Sequence, residues 1–302
     1  MTEEELRTSK RPQPPPPLVD HAHKGMAGKV LCLAGSEIMP GAAILTVRGA
    51  QRAGAGLVTL ATFDKSIIHA AAIAAPEAVY LDLSRTRDLV AGRLPSQLSS
   101  REDDARVAGP GLGKGGRTDE LIRRLLEDEF DGPLVLDADG LNVIHDTPEV
   151  LAGCHGYLVV TPHSGEGARL LGIDTLPTDW EGRLDCAKSI ARASTSTCVL
   201  KGYATVVTDG ERSYVNGSGN SALATAGSGD VLSGVIGAYM AASRKAQNPD
   251  WGLFDAVCSA VYVHGLAGDL AAKEMGRRAV TASSVIQFLG LAQLELEQGT
   301  ER

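Results

Sequence analysis

The chain reads as a single α/β domain built on a mostly parallel sheet with helices on both faces. Three observations predict this. Short, nearly continuous apolar runs alternate with helical patterns from about residue 29 onward, and such runs belong to strands buried on both sides. Glycine-rich clusters follow those runs closely. No internal repeat or linker-like break interrupts the pattern after residue 25.

Residues 1–22 read as a flexible Pro-rich tail, because Pro14 to Pro17 favour extended polyproline II. The ordered domain is expected over 23–302. Its first strand is Lys29–Leu33, followed by Ala34-Gly35-Ser36, a helix from about Gly41 to Ala53 and a strand at Leu57–Ala61. Further strands are expected at Arg106–Ala108, Leu134–Leu136, Tyr157–Val160 and Cys198–Leu200. Ala204–Thr208 and Ser213–Val215 form an expected antiparallel pair, since Asp209-Gly210 is a turn signal. Helical patterns run over Thr118–Leu126, Gly165–Leu171, Arg183–Arg192, Ser228–Met240, Leu253–Lys273 and Thr281–Leu296.

Composition narrows the function. The 302 residues are 43% hydrophobic with a formal net charge of -8, which opposes non-specific nucleic-acid binding. Thirty-five glycines exceed the average usage of roughly 7% and serve tight turns. The five cysteines contain no C-x-x-C pair, so free buried thiols are expected rather than disulfides or zinc. No apolar run reaches the ~18 residues of a membrane span, and residues 1–20 do not form a signal peptide. A cytoplasmic protein without a membrane partner is expected.

The most informative stretch centres on Gly227-Ser228-Gly229-Asp230, with an apolar helix behind it. A helix start offers open N–H groups and a positive dipole end, and glycines let a phosphate approach. Asp230 would repel a merely bound anion. It reads instead as a base beside a phosphate being transferred, with helix capping as the plainer alternative.

Other clusters fall at strand ends. Gly111-Leu112-Gly113-Lys114-Gly115-Gly116 satisfies G-x-G-x-x-G, but it lies mid-chain and fits a ligand-crevice loop better than a dinucleotide fingerprint. Asp137 and Asp139 could orient a Mg²⁺ shell or substrate hydroxyls, or could serve only turn and cap chemistry. His163 ends a strand within Thr161-Pro162-His163-Ser164-Gly165-Glu166. Lys201, before Gly202, Tyr203, Ala204 and Thr205, could meet a nucleotide phosphate. P-loop, G-x-S-x-G and H-E-x-x-H patterns are absent.

In order along 23–295, these strings resemble the ribokinase-like NAD(P)H-hydrate dehydratase family: His23-Lys24-Gly25, Pro40-Gly41-Ala42-Ala43, Gly109-Pro110-Gly111-Leu112-Gly113, Asp137-Ala138-Asp139-Gly140-Leu141-Asn142, Lys201-Gly202-Tyr203-Ala204-Thr205 and Tyr262-Val263-His264-Gly265, around the Asp230 motif. Ser164 and Ala226 depart from the usual proline and glycine, and Asn216-Gly217-Ser218 from Asn-Pro-Thr. The resemblance implies a three-layer ribokinase-like fold and repair of the S-form of hydrated NADH or NADPH. ADP (or ATP) with Mg²⁺ is the implied phosphoryl donor. Asp230 is the implied base, with Gly227, Ser228 and Gly229 stabilising the transferring group. Ala43, Gly111, His163 and Asp230 are implied to contact the hydrate. Lys201 to Thr205 and Gly229 are implied to contact the nucleotide; metal ligands are left open. It further implies a homotetramer and leaves epimerisation to a separate NAD(P)H-hydrate epimerase. A ribokinase-like kinase of a hydroxymethyl-pyrimidine or thiazole alcohol and a non-catalytic nucleotide-binding module are the alternatives.

Overall fold

The computed structural model describes residues 11–143, 151 and 153–299; residues 1–10 of the expected tail lie outside them. Among the described residues one nine-stranded sheet has the order β3-β2-β1-β4-β5-β6-β7-β8-β9. The strands are β1 (Lys29–Leu33), β2 (Leu57–Thr62), β3 (Val79–Asp82), β4 (Ala105–Ala108), β5 (Leu134–Leu136), β6 (Leu158–Val160), β7 (Thr197–Leu200), β8 (Val206–Thr208) and β9 (Ser213–Val215). Strands β1 to β7 pair in parallel, and β8 and β9 extend the sheet antiparallel.

The helices are α1 (Pro40–Arg52), α2 (Lys65–Ala74), α3 (Ser96–Ser99), α4 (Gly116–Glu127), α5 (Asp139–Asn142), α6 (Ser164–Leu170), α7 (Trp180–Ser194), α8 (Ser228–Ala246), α9 (Leu253–Met275) and α10 (Ala282–Gly299). Strand side chains alternate between two cores. Val30, Cys32, Val107 and Val135 pack with α1, α8, α9 and α10. Leu31, Leu33, Leu134 and Leu136 pack with α4 and α7. This is the three-layer single domain that the alternating pattern predicts.

Local chemistry sets the elements. Pro40 opens α1, where its missing N–H costs nothing. Asp179 caps α7 by accepting from Gly182 N at 2.7 Å. Asp209 Oδ1 accepts from Arg212 N at 2.7 Å and closes the β8–β9 turn. Two departures from the sequence reading have physical causes. Strand β8 starts at Val206 rather than Ala204, because Ala204 has φ 53°, outside the β region. Helix α2 and edge strand β3 are absent from that reading. The run KSIIHAAAIA of α2 is short and apolar nearly throughout, with only Lys65, Ser66 and His69 polar, and β3 is an edge strand with Val79 exposed.

Helices α1 and α8 meet backbone to backbone. A methyl on Gly234 would lie 2.1 Å from Thr46 O, and one on Gly49 would lie 2.6 Å from Val231 O. Glycine alone permits this approach. Helix α9 is long and apolar enough to span a membrane, yet 72% of its most apolar window is buried. It is the core helix between α8 and α10.

The end of the expected tail touches the domain. Ser259 Oγ on α9 donates to Gln13 O at 2.6 Å, and Arg11 lies 3.8 Å from Glu295 on α10. One hydrogen bond and one exposed ion pair are together worth about 1–2 kcal/mol. Deleting residues 1–17 should therefore lower Tm by only a few degrees and leave turnover unchanged. Scanning calorimetry and steady-state rates check this; a large loss of turnover would give the segment a part in the site.

All five cysteines are free; Cys32, Cys198 and Cys258 are buried and Cys154 and Cys186 half-buried. Burial pushes every thiol up, so none is a ready nucleophile.

Candidate active site

The strand order reverses between β1 and β4, and open α/β sheets take ligands at such a point. The loops after β1 and β4 close on each other there: Gly35 N donates to Pro110 O at 2.8 Å. Gly111 sits against Met39 and Ala42 at the head of α1. Ala43 is fully buried, with Gly35 directly over its methyl. The structure thus brings Gly111 and Ala43 together, but Ala43 offers a ligand the shape of the loop above it rather than an exposed side chain.

Helix α8 starts at Gly227, whose φ of 84° is left-handed. A methyl there would also lie 2.3 Å from Leu45 Cδ1. Of the amides expected to face an anion, that of Ser228 is already engaged by Thr225 O at 3.3 Å. Ser228 is held in turn by His264, whose Nε2 lies 3.0 Å from Ser228 O. Burial pushes His264 down to about 4, so a neutral ring donating from Nε2 anchors the start of α8.

Asp230 follows in the first turn of α8, half-buried. Burial, reinforced by the Asp137 carboxylate, pushes it up to about 7. Lys201 opposes that rise and Asp139 adds to it. No hydrogen bond from the described residues reaches its carboxylate in the contacts that define the site, so it is free to take a proton. A half-buried carboxylate poised near neutral pH is suited to general-base work.

Asp137 is only 1% exposed and fully engaged. Lys201 Nζ donates to Oδ1 at 2.7 Å, and Ser233 Oγ on α8 donates to Oδ2 at 2.7 Å. Asp139 accepts from Gly113 N at 2.9 Å and from Asn142 Nδ2 at 3.3 Å. The alternative of pure turn chemistry for this pair is corrected for Asp137: it carries a buried ion pair between the loops after β5 and β7. Ala138 between them has φ 48° and ψ -117°, strain of about 1–3 kcal/mol that turns the two carboxylates into different surroundings.

Lys201 lies beside Gly229, where a methyl would stand 3.4 Å from Nζ. It also lies 3.9 Å from Glu166 Oε2. Burial disfavours its charge, but Asp137 and Glu166 override that and raise it above the ordinary lysine value. Arg183 on α7 clamps the following turn by donating Nη2 to Lys201 O at 3.1 Å and Nη1 to Ser164 Oγ at 3.1 Å.

His163 caps α6. Its Nδ1 accepts from Gly165 N at 3.0 Å and Glu166 N at 3.3 Å, while Glu166 Oε2 accepts from His163 N at 2.8 Å. This capping box also brings Nε2 to 3.5 Å from Glu166 Oε1, with the ring more than half exposed.

A cleft of about 750 Å³ joins many of these groups. Its walls include His163, the turn Lys201, Gly202, Tyr203, Ala204 and Thr205, and Ser228 and Gly229 at the start of α8. Gly227, Asp230, Gly111 and Ala43 do not line it; Gly227 and Gly111 pack instead on α1, at Leu45 and Ala42, and Asp230 neighbours Asp137 and Lys201. Two ligands could therefore meet at Gly229–Asp230 from opposite sides. Sequence reasoning missed Ser233, Arg183 and Asp269. Asp269, on α9, accepts from Gly219 N at 2.7 Å and Asn220 Nδ2 at 2.6 Å; its signal was the one acid in the apolar stretch between Asp255 and Lys273. Ser233 was the one hydroxyl among apolar neighbours, whereas Arg183 had no signal.

Among the described residues no group of three or more His, Cys, Asp or Glu forms a metal cage. Asp139, whose two oxygens each accept one hydrogen bond, keeps lone pairs for a Mg²⁺ that otherwise binds through its waters and substrate phosphates.

Fold and site together define a ribokinase-like α/β protein with a carboxylate in the first turn of a helix that opens on glycine. The chain belongs to the NAD(P)H-hydrate dehydratase family, whose model matches residues 30–290. It is 35% identical over 262 residues to the ADP-dependent (S)-NAD(P)H-hydrate dehydratase of Neisseria meningitidis serogroup B, covering 85% of this chain and 81% of that one. It is 39% identical over 289 residues to the bifunctional NAD(P)H-hydrate repair enzyme Nnr of Moorella thermoacetica, covering 92% of this chain and 52% of the relative. The chain thus spans about half the length of that relative. The ADP/ATP-dependent NAD(P)H-hydrate dehydratase of Bacillus subtilis, crystallised with ATP and Mg²⁺, superposes with a TM-score of 0.77 at 28% identity, covering 98% of each chain.

Proposed function

We propose that this protein dehydrates the S-form of NADH or NADPH hydrate back to NAD(P)H, using ADP and releasing AMP and phosphate. The observation that carries this is Asp230, a carboxylate held near neutrality one residue beyond the glycine turn that opens α8. The nucleotide lies in the cleft along Lys201–Thr205, with its terminal phosphate at Gly229. The hydrate enters from the Gly111 side. Asp230 takes the proton of the hydrate hydroxyl, whose oxygen attacks the phosphoryl group. The amide of Gly229 and the Lys201 ammonium stabilise charge on that group. Phosphate then leaves with help from the ring nitrogen, and loss of the C5 proton restores the dihydropyridine. Mg²⁺ held by the nucleotide phosphates, with Asp139 as its protein partner, would neutralise phosphate charge.

The test is incubation with ADP, Mg²⁺ and NADH hydrate. AMP, phosphate and dihydropyridine absorbance should appear in equal amounts, and all three should stop without nucleotide. A stable phosphate ester formed from a pyrimidine or thiazole alcohol and ATP, with no NADH from hydrate, would make the protein a kinase instead.

The pH profile follows from Asp230. The base works only when ionised, so activity falls as pH drops through about 7. The profile of kcat/KM should show a one-proton acid limb near that value. A rate that stays flat down to pH 5 would remove Asp230 from the base role.

A further inference from the structure

The nucleotide cleft does not end at the Lys201–Thr205 turn. It continues along α9 into a second lobe of about 300 Å³, lined by Gly217, Gly219, Asn220, Asp269, Lys273 and Arg277. Arg277 lines both lobes. Helix α9 supplies a ruler. His264 touches Ser228 at the phosphate end, and Met275 ends the helix eleven residues later, about 16 Å along the axis at 1.5 Å per residue. Arg277 stands just beyond, at a distance comparable to the length of an extended nucleoside diphosphate.

The wall facing Arg277 is nearly bare. Gly217 and Gly219 present backbone only, and their loop is fixed from behind. Asp269 accepts from Gly219 N and Asn220 Nδ2, and Ser218 Oγ donates to Tyr262 O at 2.7 Å. A braced strip that offers backbone at Gly217 and Gly219 shares this lobe with the exposed Arg277 guanidinium, and together they make a slot for a flat ring. Guanidinium planes stack on aromatic faces, which lysine does not reproduce.

We propose that Arg277 stacks on the purine base of the nucleotide, against the Gly217–Asn220 strip, and that Asp269 is a positioning residue that holds the strip. Arg277 thus sets nucleotide affinity without touching the reacting phosphate. The inference rests on the nucleotide occupying this cleft, as in the function proposed above.

The test measures calorimetric binding of ADP and of inorganic pyrophosphate, which has no base, to the full chain and to Arg277→Ala, Arg277→Lys and Asp269→Asn. Arg277→Ala should weaken ADP about tenfold, the ~1.4 kcal/mol that a partly desolvated cation–π contact supplies, and leave pyrophosphate unchanged. Arg277→Lys should recover little of the loss. Asp269→Asn should raise KM for ADP with kcat retained. Equal losses for ADP and pyrophosphate would show a long-range charge effect and overturn the stacking role, as would unchanged ADP affinity in Arg277→Ala. Wild-type protein that binds ADP but does not turn over hydrate would refute the dehydratase reading while leaving the Arg277 comparison decisive.

Discussion

Asp230→Asn should lower turnover by about 10²–10⁴, the contribution of a positioned general base, and should make the unliganded protein more stable at pH 8. The second half follows from the same burial that tunes the first. The folded-state value of Asp230 is raised above its ordinary 3.8 to about 7. Its stabilising neutral form is therefore fully present below pH 4 and is lost as pH rises through about 7. Asparagine carries no charge to bury, so the variant escapes that loss. A Tm gain of about 2–4 °C, the response of a domain this size to about 1 kcal/mol, is expected at pH 8 and should shrink toward pH 5. Calorimetry at both pH values and a single-turnover rate measure the two effects. Near wild-type turnover, or a Tm that falls at pH 8, would contradict the assignment.

Lys201→Met should destabilise the fold by about 3–5 kcal/mol, because it leaves the Asp137 carboxylate buried without its cation. Asp137 is 1% exposed and its partner ammonium sits 2.7 Å away. Adding Asp137→Asn to Lys201→Met should recover much of the loss, since the uncompensated charge goes with it. Denaturant melts of both variants give the answer. A Lys201→Met protein within about 1 kcal/mol of wild type would mean that water, not Lys201, satisfies Asp137. Lys201 thus has two roles that the sequence presents as one: it faces the cleft beside Gly229, and it is one half of the bond between the loops after β5 and β7.

The core strands and the order of the glycine loops were legible because buried parallel strands leave unmixed apolar runs, such as Leu134–Leu136 and Leu158–Val160. The motif at Gly227–Asp230 was legible because its backbone geometry demands glycine at a fixed offset from the acid. Partnership was not. Nothing local tells that Ser233 reaches Asp137, ninety-six residues away, or that Arg183 braces the turn after Lys201. Such contacts are set by which strand ends become neighbours, and the order β1-β4-β5-β6-β7 is a tertiary fact. Elements without contrast were lost for a different reason: α2 is a ten-residue run with only three polar residues, and β3 is a short edge with mixed exposure.

The bare contact between α1 and α8 has a consequence for timing. With Gly234 pressed on Thr46 O, and Gly49 on Val231 O, neither helix can slide or rotate without a steric collision. The amides of α8 behind Asp230 should therefore exchange with deuterium only through global opening. The loops around the site keep shorter clocks of their own. Any closure over bound ligands must be made by the 201–205 segment moving toward a fixed anvil, so the rate of that closure is a property of that loop alone.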